Sequence, residues 1–465
     1  MIWRIVRKEL LENINSLRFT LSLLLVVSVF VASGFVFVGR YQQQVEDYRH
    51  ETNKNFSALS KRANNLSKIA FYKQAIYRKP KVLELCAEGS EKSLPNVFKT
   101  DVFSIDYPEF KARSNFLLPR FSDIDWVFII SVILSFVALL LSFDSISGEK
   151  EAGTLQLMLS NPIPRTKVVL AKYLGAMLTL GIPLFLGVVI NLIIVNSSSM
   201  ISINGGEWLK ILAVIVTSLY YLSIFILLGI FVSSRTTRSS TSMVVLLLLW
   251  ATLVIIIPSC GRIVADKFHP IPTRAEIDRR IANARRQIIE EHTRPPSKAG
   301  LWNDNPFDPW VPARSRMINE ITATRNQIFD SYINQMVAQV NSGRNFIRIS
   351  PTTIYQYASE AIIGTGVARF ENLYAQIRRY KVSLRNFVLN RDKADPQSPH
   401  LLNAWHKICI SQKPVDFNTV PQFEERDLPF WKSLETSIGD LILLMLFNLV
   451  FFMGAYISFL IRDVT

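Results

Sequence analysis

Charged residues are scarce in this sequence of 465 residues. Asp, Glu, Lys and Arg together make up 19% of the chain, while hydrophobic residues make up 49%. Soluble globular domains carry about 25% charged residues on average. The shortage of charge therefore argues against an ordinary soluble protein of this size and indicates a membrane protein.

The sequence also has few of the patterns that carry catalysis. Its five histidines never occur in an H-E-x-x-H arrangement, and no G-x-S-x-G elbow is present. Gly148, Gly153 and Thr154 are spaced almost as in a phosphate-binding loop, but the lysine of that loop is missing. We therefore expect no catalytic residue, no cofactor-binding residue and no metal ligand in this chain. The net charge of +15 gives no specific indication of nucleic-acid binding.

Six apolar segments are long enough to cross the hydrocarbon core of a membrane as helices, which takes about 20 residues. Since so many such lengths rarely occur together in soluble folds, the sequence predicts an all-α polytopic membrane protein with six transmembrane helices. The predicted spans are residues 19–39, 126–144, 167–195, 208–232, 240–258 and 437–461.

The first apolar run has an alternative interpretation as a secretory signal. Arg4, Arg7 and Lys8 precede it, and Ala32 to Gly34 resemble a cleavage site. However, the apolar run continues to Val38, which makes it long enough to span. We therefore interpret it as a transmembrane helix that is retained.

The positions of lysine and arginine predict the orientation of the spans. The loop 196–207 contains neither residue, whereas the short segments that would lie in the cytoplasm contain several. Both termini are therefore expected in the cytoplasm, together with residues 145–166. Two long hydrophilic inserts, residues 40–125 and 259–432, are expected on the other side.

Helical periodicity extends beyond the spans. Residues 1–18 repeat apolar side chains at helical spacing, which predicts a helix along the cytoplasmic interface that attracts anionic headgroups. A plain extension of the first span is the alternative. A stripe from Val45 to Leu66 predicts that the first span continues outward as a stalk. We expect the two inserts to form a mainly helical extracytoplasmic domain.

The segment 145–166 combines charge and proline between two apolar runs. Placing the charged side chains of Glu149 and Glu151 in hydrocarbon would cost free energy, so the chain is expected to leave the membrane there. A short helix is predicted to follow, until Pro162 and Pro164 end it. Because displacing this helix must tilt both neighbouring spans, it can transmit movement. An ordinary charged loop is the alternative.

These residues resemble a known motif. The run from Gly148 to Leu155, followed by Leu159-Ser160-Asn161-Pro162-Ile163 and by Arg165 with Lys172, is similar to the coupling segment of ABC-2 type transporter permeases. In that family the pattern forms the cytoplasmic contact with a separate ATP-hydrolysing subunit. The resemblance implies that the contact is made by Glu149, Lys150, Glu151, Gly153, Thr154, Leu155, Pro162 and Arg165.

The second insert adds to the resemblance. Two short motifs, Ile349-Ser350-Pro351 and Gly364-Thr365-Gly366, resemble the S-P and G-T motifs of a subset of these permeases. Members of that subset have a large helical extracytoplasmic insert. That subset includes permeases of nitrous-oxide-reductase maturation and of bacterial gliding machinery.

The resemblance implies the membrane subunit of an ATP-driven exporter in a bacterial plasma (inner) membrane. Its partners would be two copies of an ABC-type ATPase, which would hold ATP and magnesium, and a second permease copy or paralogue. Membrane lipids and a periplasmic or lipoprotein partner are the other expected partners. The large domain motivates an alternative, in which the chain drives an extracytoplasmic partner without moving a substrate through its own helices. A membrane-anchored sensor without an ATPase is a third hypothesis.

The cysteines and the polar residues within the spans complete the predictions. The three cysteines fall in the outer segments, where disulfides persist. A bridge between Cys86 and Cys409 would join the two inserts, and buried free thiols are the alternative. In the spans, Asn191 is expected to bond a neighbouring helix, and Asp440 to be solvated near the outer boundary.

Overall fold

A computed structural model describes residues 2–89, 94–109, 124–154, 164–268, 270–292 and 309–461. Within these residues the chain is almost entirely helical, with one two-stranded sheet. The helices are α1 (Ile2–Ile14), α2 (Leu17–Arg62), α3 (Leu66–Ala70), α4 (Trp126–Phe128), α5 (Ser135–Ser142), α6 (Ser147–Glu151), α7 (Arg165–Asn196), α8 (Gly205–Arg235), α9 (Ser239–Trp250), α10 (Ile257–Phe268), α11 (Arg274–Glu291), α12 (Val311–Ile347), α13 (Pro351–Ile363), α14 (Gly366–Lys393) and α15 (Phe430–Ile461). The strands are β1 (Gln74–Tyr77) and β2 (Val97–Thr100).

Six helical stretches of the described chain are long and apolar enough to cross a membrane, which confirms the predicted number of spans. Every predicted span lies inside one of them. From the first to the sixth span they are Leu17–Arg62, Trp126–Glu151, Arg165–Asn196, Gly205–Arg235, Ser239–Gly261 and Phe430–Ile461. The protein is therefore an all-α polytopic membrane protein.

The first span continues far beyond the apolar run that predicted it. Ser16 caps α2 by accepting a hydrogen bond from the backbone N–H of Phe19 at 3.2 Å. No proline interrupts the 46 residues from Leu17 to Arg62. A helix of that length extends about 69 Å at 1.5 Å per residue, more than twice the thickness of the hydrocarbon core. The helix continues through the predicted stalk as far as Arg62, whereas Leu66, the last residue of the predicted stripe, begins the separate helix α3.

The second and fourth spans form the centre of the helical bundle. Their apolar windows are 72% and 67% buried, against 11% for the fifth span. Small residues allow this close approach, because a Cβ added to Gly229 would lie 1.9 Å from Ser142 Oγ. Asn191 accepts a hydrogen bond from Trp126 Nε1 at 3.0 Å and donates to the carbonyl of Phe30 at 2.6 Å. The expectation for Asn191 is confirmed, since it joins the first three spans.

Two spans contain a π-helical turn. One covers Ile129–Leu134 in the second span and the other covers Ala251–Ile256 in the fifth. Such a turn shifts the hydrogen-bond register and leaves backbone carbonyls available to other partners. The two spans are also joined directly, because Trp250 Nε1 donates to Ser135 Oγ at 2.9 Å.

Both inserts contribute to one domain beyond the spans. β1 pairs antiparallel with β2, with Gln74 opposite Thr100. Phe98 of the first insert and Phe370 of the second are both buried, and their ring centroids lie 5.8 Å apart. The two inserts therefore share a hydrophobic core. The prediction of a mainly helical domain built from two inserts is confirmed.

One helix of the second insert lies among the spans. α13 packs against the fourth and sixth spans, and its Tyr355 stacks on Tyr221 of the fourth span at 4.6 Å between ring centroids. Tyr221 is 16 residues from Gly205 and 14 from Arg235, so it lies near the middle of its helix. The sequence-based expectation placed the whole insert outside the spans, and for α13 this is wrong. A helix of 13 residues is too short to be recognised from sequence as lying within the membrane-spanning bundle.

Candidate functional site

The charged motif between the second and third spans lies at one end of the helical bundle, called the motif end below. α6 packs there against α8 and α9. Gly153 follows with a φ of +69°, a left-handed conformation that favours glycine. Leu155 and Pro162 of the predicted contact lie outside the residues that the structure describes.

Lys172 of the third span is the centre of a buried ion-pair cluster. Its side chain is 2% exposed, and its Nζ lies 2.7 Å from Glu149 Oε1 and 2.8 Å from Glu9 Oε1. A buried ammonium is costly unless it is paired, and here two carboxylates balance it. The cluster joins α6 to α7 and also to α1.

The first helix is held closely against the third span at this point. A Cβ added to Gly175 would lie 2.8 Å from Glu9 Cβ, so a larger residue there would displace α1. The other face of α1 is exposed and carries Arg4, Arg7 and Lys8. α1 is thus an amphipathic helix with one side fixed to the bundle and a basic side left open.

Lys150 and Glu151 hold the ends of the fourth and fifth spans. Lys150 Nζ donates to the carbonyl oxygens of Ser234 at 2.8 Å and Thr236 at 3.3 Å. The last carbonyls of a helix have no helical partner, and a cation near them is stabilising. Ser239 Oγ, at the start of α9, donates to Glu151 Oε2 at 2.6 Å.

Arg165 has the same role for the sixth span. Its Nη1 donates to the carbonyl of Leu460 at 2.8 Å and to that of Phe459 at 3.3 Å, in the last turn of α15. The first and second spans are joined by Arg18, whose Nη1 lies 2.6 Å from Asp144 Oδ2. Charged side chains therefore connect all six spans around the motif.

The outer side of the motif is open. Residues 151–154 are exposed, and a Cβ added to Gly153 would meet no atom within 4 Å. Thr154 Oγ1 donates locally, to the carbonyl of Glu149 at 3.3 Å. Among the described residues, the motif thus has an inner side bonded to α7, α8 and α9, and through Lys172 to α1, and an outer side that no other described element covers.

Comparison with known proteins identifies the family. A model of the ABC-2 family transporter proteins matches residues 3–464, almost the entire chain. The chain belongs to the ABC-2 transporter family. It is therefore a transporter protein of that family.

Two curated relatives of this ABC-2 transporter are probable ABC transporter permease proteins named NosY. The protein from Pseudomonas aeruginosa is 28% identical over 127 residues, which cover 27% of this chain and 45% of the relative. The protein from Stutzerimonas stutzeri is 40% identical over 55 residues, which cover 12% and 20%. The chain therefore spans less than half the length of the curated relatives that it matches.

The structure brings together five of the eight predicted coupling residues of this transporter around α6, and Arg165 lies at the start of the next span. Sequence reasoning did not assign Glu9 a role, although it lies three residues after the buried Val6, on the side of α1 that packs against the third span. The available signal was Lys172, since an ionisable residue inside a span requires a partner. Within the described residues, no group of three His, Cys, Asp or Glu is placed to hold a metal ion.

The predicted Cys86–Cys409 bridge is wrong in this structure, where both thiols are free. Cys86 is buried in the same hydrophobic cluster as Trp126 at the base of the spans. Cys409 neighbours Ile410, which belongs to the separate core of the domain. Burial raises the pKa of the Cys86 thiol, with a smaller contribution from the charge of Asp125, and so keeps the thiol protonated. The alternative of buried free thiols describes the pair.

Proposed function

We propose that this chain is the permease subunit of an ABC exporter, and that a separate ATPase binds the outer side of the motif. The two-sided motif is the observation that supports this proposal. A displacement of α6 acts directly on the third, fourth and fifth spans, because Lys172, Ser234 and Ser239 are bonded to it. It acts on α1 through Lys172, which also pairs with Glu9. An ordinary surface loop would have no such connections.

The motif end would face the cytoplasm of a bacterial cell, with both termini on that side of the plasma (inner) membrane. Exposed basic residues at this end support the orientation, because positive charge is retained in the cytoplasm. The three on α1 would also contact anionic lipid headgroups. These residues are Arg4, Arg7, Lys8, Lys167, Arg235 and Arg238.

The assembled transporter would contain two ATPase subunits, which hold ATP and magnesium, and a second permease copy or paralogue. The fifth span supports a permease partner, since only 11% of its apolar window is buried within this chain. ATP-driven closure of the ATPase pair would push α6. Tilting of the attached spans would then switch an export path between its two sides.

The test compares the two sides of the motif. The tagged chain is purified from its own host in mild detergent, with mass spectrometry of its partners and an ATPase assay. Ala152→Arg places a bulky charge on the exposed side, and we expect it to remove the ATPase while the permease stays folded. The matched control is Ala282→Arg, which makes the same change at an exposed position of α11 in the domain.

Two outcomes would count against the proposal. One is a folded wild-type preparation that carries no ATPase. The other is an ATPase that Ala152→Arg retains as well as the control does.

A second candidate function is mechanical. The domain is connected through α13 to the middle of the fourth span, where Ser218 and Tyr355 share a hydrogen bond of 2.8 Å. ATP hydrolysis could thus move an extracytoplasmic partner without transport through these helices. Crosslinks from the domain to an envelope protein, with no compound stimulating the ATPase, would favour this function. Uptake of a compound into inverted vesicles would favour export.

A further inference from the structure

The turn between α12 and α13, residues 348–350, forms the tip of a helical hairpin that reaches in among the spans. Ser350 Oγ donates to the carbonyl of Leu253 in the π-helical turn of the fifth span. Thr352 Oγ1 lies 3.0 Å from Tyr221 Oη, which itself donates to the carbonyl of Ser131 in the other π-helical turn at 2.9 Å. One carbonyl of each π-helical turn therefore accepts a side-chain hydrogen bond, from Ser350 of the hairpin in one turn and from Tyr221, which contacts the hairpin, in the other.

The same tip forms an ion pair with the sixth span. Arg348 Nε lies 2.8 Å from Asp440 Oδ1, and Nη2 lies 3.2 Å from Oδ2, so the contact is bidentate. The Asp440 side chain is 5% exposed. It follows Phe430, the first residue of α15, by ten residues, which is about 15 Å along the helix. Asp440 is therefore buried and paired, and the expectation that it is solvated is wrong.

The opposite end of α13 is held by the domain. Lys81 Nζ donates to the carbonyl of Gly364 at 3.0 Å, and Thr365 Oγ1 donates to the carbonyl of Ala87 at 2.8 Å. Gly89 packs directly on Glu360, because an added Cβ would lie 2.0 Å from the Glu360 Oε1. α13 is thus fixed to the first insert at one end and to the spans at the other.

We propose that Arg348 is a positioning residue that makes the domain follow the sixth span. The sixth span is held at the motif end by Arg165 and, ten residues from its opposite end, by Arg348, so the two arginines hold it at two separate points. Displacement of the motif end then passes along α15 to Asp440, through the ion pair to α13, and from α13 to the domain. The source of this displacement rests on the proposed function, whereas the ion pair does not.

The ion pair is the contact best suited to this task. The links from the tip to the fourth and fifth spans are neutral hydrogen bonds, whose net contribution to stability is modest. A bidentate charge-assisted pair is roughly twice as strong per bond and fixes the direction of both groups. Among the described contacts of the tip, the pair is the one that joins it to the sixth span through charge.

The first experiment uses the purified chain alone in lipid nanodiscs and measures hydrogen exchange of the α13 amides. Arg348→Gln should increase exchange by at least about tenfold, because it leaves the buried carboxylate of Asp440 without its partner. Asp440→Asn should increase exchange by a smaller factor, because the Arg348 side chain is 36% exposed and can regain hydration. The reversed pair, Arg348→Asp with Asp440→Arg, should restore most of the protection. The matched control is Lys99→Gln, which breaks an ion pair with Glu109 that is exposed on the domain surface. Unchanged exchange in both single variants would overturn the proposal.

The second experiment uses the complex with its ATPase and asks whether movement is transmitted. In the wild type, ATP should change the hydrogen exchange of α14 in the domain. Arg348→Gln should keep the ATPase rate and lose this ATP-dependent change, and the reversed pair should recover it. A full ATP response in Arg348→Gln would overturn the proposal. If no ATPase accompanies the chain, the proposed function fails, and the first experiment still decides the role of the ion pair.

Discussion

Replacing Lys172 by methionine tests whether the buried cluster at the motif end stabilises the protein. Methionine keeps the length of the side chain and removes its charge, so Glu9 and Glu149 are left facing each other without an ammonium. Breaking a buried ion pair by removing one partner costs about 3–5 kcal/mol. The two carboxylates are 15% and 19% exposed and regain some hydration, so we expect a loss of about 2–4 kcal/mol in the free energy of unfolding.

The assay is thermal unfolding in detergent, followed by tryptophan fluorescence at a fixed scan rate. For a chain of 465 residues, a loss of this size should lower the melting temperature by roughly 2–4 °C. The control is the triple variant Lys172→Met, Glu9→Gln, Glu149→Gln, in which no charge remains. It should recover most of the lost stability, because a neutral replacement of a whole buried cluster is often harmless. An unchanged melting temperature in Lys172→Met, or no recovery in the triple variant, would refute the reasoning.

Two further predictions concern packing and accessibility. Gly187→Leu should sharply lower the yield of folded protein in a size-exclusion assay, because even a Cβ at this position would lie 2.3 Å from the ring of Phe30. Gly39→Leu is the control and should leave the yield unchanged, because a Cβ added there would meet no atom within 4 Å. A maleimide should label Cys260, which is exposed, and should leave the buried Cys86 unmodified until the chain is denatured. Mass spectrometry of the intact protein measures the labelling. Equal labelling of the two cysteines in the folded state would contradict the structure.

The spans were predictable from sequence because each depends only on a local property. An apolar run of sufficient length must be a helix in a membrane, and no information about its neighbours is required. The same is true of the stalk from Val45 to Leu66, whose stripe is periodic whatever it packs against. Prediction of the spans succeeded for this reason, although every helical stretch is longer than the span predicted within it.

The contacts between distant residues were not predictable in this way. Glu9 and Lys172 are separated by 163 positions, and no local pattern shows that α1 packs beside the third span. α13 has 13 residues and several polar side chains, so its sequence resembles any helix of the domain. Its depth is determined by partners on other helices, such as Tyr221 and Asp440, and only the three-dimensional arrangement brings these together.

The position of the buried charges bears on their purpose. A buried ion pair contributes little to net stability, since the cost of removing both ions from water offsets much of their attraction. This chain nevertheless places a buried pair at the motif end, on Lys172, and a pair with one buried member, Asp440, at the hairpin tip. Both lie at contacts between separate helices. Apolar packing would hold such contacts without the free-energy cost of removing ions from water. Because charged pairs fix direction and register more strictly than apolar contacts do, we infer that these two contacts serve the transmission of movement more than the stability of the bundle.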